Sequence, residues 1–180
     1  MLDFWFGAPD SAERGRPRKV WFRKSEAFDD QIRGRFLRTW EEAARGALGH
    51  WQATPLASLA LVIVLDQFPR NMFRGTPQAF SSDALALSAA RRLADRGFDR
   101  PLATVERAFA YLPFQHAEDL AAQRRSLALF HALDPEQVGY AKRHYEIIAR
   151  FGRFPHRNAV LGRESSAEET EFLKQPGSSF

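Results

Sequence analysis

The chain has 180 residues, enough for one domain with a substantial core and short for two, and its 44% hydrophobic content with 16 Phe and 4 Trp excludes a disordered chain. It has no cysteine, which excludes disulfides, thiolate metal sites and a cysteine nucleophile. The net charge is +4 and the pI about 9.8, but the 26 basic residues include only four lysines and the arginines are spread along the whole chain. No dense basic run interleaved with aromatics appears, so the charge implies weak anion attraction, and nucleic acid is not the expected partner.

In chain order, the start MLDFWFGAPD has no basic region followed by an apolar core. It reads as an aromatic arm over residues 1–18, not as a secretory leader. Phe28, Ile32, Phe36 and Trp40 recur every four residues with charged residues on the other faces, which predicts an amphipathic helix from Lys19 to Arg45. Gly46 and Gly49 follow it. Pro55 opens a second helix that is apolar nearly all round through Leu65 and is therefore expected at the centre of the core. Pro69 is expected to end it, because proline disfavours helical geometry at the residue before it. Its apolar run is far shorter than the ~20 residues a membrane crossing needs, so a soluble protein without a membrane partner is expected, and the lack of cysteine fits a cytoplasmic one.

Thr76-Pro77 supplies an N-cap hydroxyl and a proline at the first helical position, predicting a third helix through Leu87 and Leu93 to Gly97. A fourth is expected from Pro101 to Leu112, broken by Pro113, and a fifth from His116 to Leu133. Asp134-Pro135-Glu136-Gln137 is expected to start a sixth, with Gln137 completing a capping box. Pro155 opens a short seventh, and Ser166-x-x-Glu169 caps a last one before the tail over residues 175–180. With no strand pattern, the expectation is one all-α domain over residues 1–180, with seven or eight helices in antiparallel hairpins.

Three segments carry polar residues where plain turn residues would serve: Asp66 to Asn71; His116 to Asp119, continued by Gln123 and Ser126 as one polar stripe; and Arg153 to Asn158. Phe-Pro-Arg-Asn at 68–71 is echoed by Phe-Pro-His-Arg-Asn at 154–158, which suggests one helix junction used twice. If the segments converge, Asp66, Arg70, Asn71, Glu118, Arg153, Arg157 and Asn158 would hold a small anionic ligand or a carboxylate-bearing peptide. In an acid–base enzyme, His116 or His156 would move protons, oriented by Asp66, Glu118 or Asp119. The third alternative is an interaction scaffold in which the same residues lock helix junctions, Arg70 and Arg157 capping carbonyls or pairing with carboxylates and Asn71 and Asn158 holding turns. His144, on the face of Ile147, Ile148 and Phe151, reads as a core histidine. No metal site or cofactor is expected, since HExxH and HxH patterns, a P-loop and GxGxxG are all absent. The aromatic N-terminus and Phe180 leave a homodimer open.

The sequence resembles the bacterial family catalogued as domain of unknown function 924. The resemblance rests on Leu2 to Gly7, Trp21-Phe22, Leu65 to Thr76, Tyr111-Leu112-Pro113 with His116, Glu118 and Asp119, His144, Phe151 to Asn158, and Leu161-Gly162-Arg163 with Glu169. It covers almost the whole chain and implies an all-α, tetratricopeptide-like helical fold. It implies no particular reaction, substrate or cofactor. Ala117 stands where the family more often has Ser, which weakens the case for a hydroxyl nucleophile beside His116.

Overall fold

The computed structural model describes residues 1–21, 23–135 and 138–180. Among these the structure is all-α: α1 (Leu2–Phe6), α2 (Glu26–Ala44), α3 (Pro55–Met72), α4 (Asp83–Asp95), α5 (Thr104–His116), α6 (Leu120–Leu133), α7 (Val138–Phe151) and α8 (Ala167–Leu173), with short 3₁₀ turns between them. None is long and apolar enough to cross a membrane. The expected capping residue Gln137 lies outside the described residues, as does Phe22.

The chain forms two compact units, one of residues 1–74 and 78–113, the other of residues 75–77 and 114–180. In the first, α2 and α4 both pack on α3. The middle of helix α3 is apolar on nearly every side because nearly every side is covered: Leu59, Val62, Ile63, Val64 and Phe68 are fully buried. Trp5, also fully buried, meets the rings of Trp21, Phe28, Phe68 and Phe109 at centroid distances of 5.5 to 6.0 Å, so the aromatic arm is core. In the second unit α6 packs on α7, and Ile147, Ile148 and Phe154 form a core flanked by Leu120, Phe151 and Phe172.

Several expected boundaries move, for identifiable reasons. Helix α2 begins at Glu26, not Lys19, because the Ser25 side chain caps it by accepting from the Phe28 N–H. Pro69 does not end α3, which continues to Met72. A proline there leaves the Leu65 carbonyl without its helical donor. The Ser82 hydroxyl supplies one instead at 2.6 Å, and itself accepts from Trp40 Nε1. Likewise α4 begins at Asp83, with only a 3₁₀ turn over Pro77–Phe80, and Pro113 lies inside α5. The Ser166–Glu169 capping box forms as expected.

Gly7 ends α1 at φ 92° and ψ 156°, a region essentially restricted to glycine. A β-carbon there would lie 2.7 Å from Ser11 Oγ and 3.0 Å from Glu13 Cβ. Gly7→Ala is therefore expected to lower stability by roughly 2 kcal/mol or more, read as a fall in the urea midpoint; an unchanged midpoint would contradict this geometry.

Candidate functional site

The first polar junction lies in the N-terminal unit and is closed by local pairs. Arg70 grips Asp83 with two nitrogens at 2.8 and 2.9 Å, donates to the Asp66 carbonyl at 2.7 Å, and lies 3.3 Å from the Asp66 carboxylate. Burial alone would lower the Arg70 pKa; the charges of Asp66 and Asp83 and the Asp83 hydrogen bonds outweigh it and raise it. Asn71 donates to Asp29 at 2.7 Å, and Arg74 closes on the same carboxylate.

The other two junctions lie in the C-terminal unit, where they meet. Their arrangement corrects the expected polar stripe. His116 is the last residue of α5, and Asp119 is the N-cap of α6, its carboxylate accepting from the Ala122 N–H at 2.7 Å. The helix breaks between them because Asp119 satisfies the first turn of a new helix better than it would extend the old one. Gln123 and Ser126 remain three residues apart on one face of α6.

The end of α5 and the loop that follows it, residues 115–118, form the hub. From α6, the Gln123 amide donates to the carbonyls of Gln115 at 2.7 Å and Ala117 at 2.8 Å. From the turn after α7, Arg157 donates to the His116 carbonyl at 3.0 Å with its guanidinium 4.7 Å from the centre of the Phe154 ring. Glu118 accepts from the Phe154 N–H at 2.7 Å and holds Arg163 through two bonds of 2.6 and 2.9 Å. Burial would raise the Glu118 pKa, but the Arg163 bonds, the Phe154 N–H and the charges of Arg163 and Arg157 together lower it. Arg163 also reaches Asn158, which donates to Ser165. Arg153 forms a two-bond pair with Glu169 at 2.7 and 2.8 Å, and this pair holds the Glu169 carboxyl down at about 2.

The Phe-Pro echo is not one structure used twice. At 68–71 the motif is continuous helix, whereas Phe154 is extended and Pro155 opens a 3₁₀ turn.

Three imidazoles gather beside the hub. The His144 ring centre lies 6.4 Å from that of His116, 5.6 Å from that of Phe154 and 3.6 Å from that of Phe180, on which it stacks. His156 is 5.6 Å from Phe154 and 5.8 Å from Phe180. Burial holds His144 down at about 3 and, with the Arg157 charge second, His156 at about 4; both are neutral at physiological pH. His144 Nδ1 sits 2.8 Å from the Tyr140 carbonyl, so in the neutral ring the proton is on Nδ1 and Nε2 carries the lone pair. Among the described residues no group of three His, Cys, Asp or Glu could hold a metal ion.

Five buried polar atoms of this unit have no hydrogen-bond partner among the described residues: Gln115 Oε1, Gln123 Oε1, Ser126 Oγ, His156 Nδ1, and the Nε of Arg157, a residue bonded through Nη2 to the His116 carbonyl. Gln123 and Ser126 are fully buried. Sequence reasoning placed Gln123 and Ser126 on a polar face but missed Gln115, whose only signal is that unmet acceptor. It also missed the lock role of Arg163, which is 45 residues from its partner Glu118. A groove of about 260 Å³ in the same unit, lined by Arg143, Ile147, Arg150, Phe151 and Phe172, holds none of the expected site residues.

No curated protein matches the chain. The solved structure of ATU0120, a protein of unknown function from Agrobacterium tumefaciens, is similar at 42% identity over 96% of this chain and 94% of that one, with a TM-score of 0.86. The model of the family described as bacterial protein of unknown function, DUF924, matches residues 1–177. On both comparisons the chain belongs to the DUF924 family.

Proposed function

We propose that this chain is a binding protein for a small molecule, seated against the α5–α6 loop and the α6 face that carries Gln123 and Ser126. The observation behind this reading is the set of buried atoms without partners at Gln115, Gln123, Ser126 and His156. Leaving one such group unmet costs about 1–3 kcal/mol, and nearly all buried polar groups in folded proteins are paired. These groups, two of them three residues apart on one helix, gather hydrogen-bonding capacity in one place, which a bound small molecule would meet.

The arginine-centred version, an anion held by Arg70, Arg153 and Arg157 with help from Asp66, Asn71, Glu118 and Asn158, has less support. Arg70 and Arg153 each spend two nitrogens on a carboxylate, and Arg157 is turned to the His116 carbonyl. These residues favour the scaffold reading in its narrower sense, as locks that hold the junctions. The acid–base reading through His116, Asp119 and His156 is weaker too: Asp119 caps α6 and Glu118 faces Arg163, so each carboxylate has a structural use beside the imidazoles.

Ser126→Ala tests the reading. Without ligand, the alanine protein is expected to be more stable than wild type by about 1 kcal/mol, since it removes an unmet hydroxyl and improves helix propensity. It is also expected to lose any thermal shift that the low-molecular-weight fraction of a cell extract gives the wild type. A Ser126→Ala protein that melts lower than wild type and keeps that shift would sink the proposal.

A further inference from the structure

We infer that the ligand of this site is an uncharged molecule presenting hydrogen-bond donors, hydroxyl or carboxamide, and not an anion. The inference rests on the proposed site at the α5–α6 loop and specifies what that site accepts. The decisive group is Gln123. Both N–H bonds of its amide are committed to the carbonyls of Gln115 and Ala117. Turning the amide over would set its oxygen against two carbonyl oxygens, so the end left unmet is an acceptor by construction.

The neighbouring groups add acceptors. Gln115 Oε1 is a second unmet acceptor, and the Ser126 hydroxyl offers two lone pairs beside its one O–H on the face of Gln123. His144, whose Nδ1–H donates to the Tyr140 carbonyl, carries its lone pair at Nε2. Most strong donors at the hub are used elsewhere: Arg153 on Glu169, Arg163 on Glu118, and Arg157 Nη2 on the His116 carbonyl, with Arg157 Nε the buried N–H that remains. A carboxylate or phosphate entering here would meet the lone pairs of Gln123 Oε1 and Gln115 Oε1 and could bond neither. An ammonium would find the acceptors it needs, but also the positive field of Arg157 and Arg163, which helps keep His156 neutral. A neutral donor meets neither obstacle.

Saturation-transfer NMR with probes of one shape tests this: propanamide, propanoate and propylammonium, with glycerol as the hydroxyl probe. Each is compared on wild type, Gln123→Leu and Ser126→Ala, the last guarding against a Gln123→Leu protein that fails to fold. Propanamide and glycerol are expected to give transfer on wild type that falls about three- to tenfold in the variants, the loss of one hydrogen bond or so. Propanoate and propylammonium are expected to give the same low signal on all three proteins. If propanoate or propylammonium transfer is strong on wild type and falls in the variants, the site stands and the neutral-donor inference is overturned. If no probe distinguishes wild type from either variant, the site reading fails and takes the inference with it.

Discussion

Replacing Arg70 with alanine should destabilise the protein by about 3–5 kcal/mol, the usual consequence of removing one partner from a buried ion pair. The substitution deletes the two bonds to Asp83 and the bond to the Asp66 carbonyl, and it withdraws the cation 3.3 Å from the buried Asp66 carboxylate. Lysine should recover only part of the loss, because an ammonium cannot make the paired contact to Asp83. Urea unfolding of Arg70→Ala, Arg70→Lys and wild type measures this directly. Midpoints for Arg70→Ala within a few tenths of wild type would mean that Arg70 is not a lock, and would return it to the ligand-binding candidates.

Acidification should produce the second large effect, and its sign follows from the two depressed imidazoles. In the unfolded chain His144 and His156 take up protons near pH 6.5; in the folded protein they resist until about 3 and about 4. Between those values the unfolded state binds more protons, so stability is fully present above pH 6.5 and is lost as the pH falls toward 4. At pH 5 each imidazole should remove about 2 kcal/mol relative to neutral pH. His156→Leu should flatten roughly half of that slope. Glu118 and Glu169, held below the usual carboxylate range, keep their ion pairs through this window and so do not mask it. The check is the urea midpoint measured from pH 7.5 to 5. A flat profile, or one that rises on acidification, would show that the imidazoles are not held neutral.

The fold was legible where its cause was local. The all-apolar run of α3 announced a central helix, Ser166 and Glu169 announced a cap, and Gly97, at φ +67°, stands beyond α4 as a C-terminal glycine should. What the sequence hid were bonds between distant residues. Pro69 reads as a stop because the hydroxyl that rescues the Leu65 carbonyl comes from Ser82, 17 residues on. The expected polar stripe from His116 through Ser126 failed at its first step, because Asp119 prefers to cap a helix than to sit within one.

The same asymmetry governs the candidate site. Arginines stand out in a sequence, and they suggested anion chemistry; their carboxylate partners, Glu169 for Arg153 and Asp83 for Arg70, lie 16 and 13 residues away and read as ordinary surface charge. Gln115 attracts no notice until tertiary structure buries its amide oxygen without a partner, and Ser126 reads only as one member of a polar stripe. A site defined by unmet acceptors is invisible to motif reading, because its defining property belongs to the packing.

The most direct test of the central claim is a crystal structure of the wild-type protein grown with propanamide, at a resolution that shows ordered water. The account predicts a bound amide whose N–H lies within about 3 Å of Gln123 Oε1 or Ser126 Oγ. If both atoms instead bond to protein groups, or meet only isolated waters, the claim that they seat a ligand is contradicted.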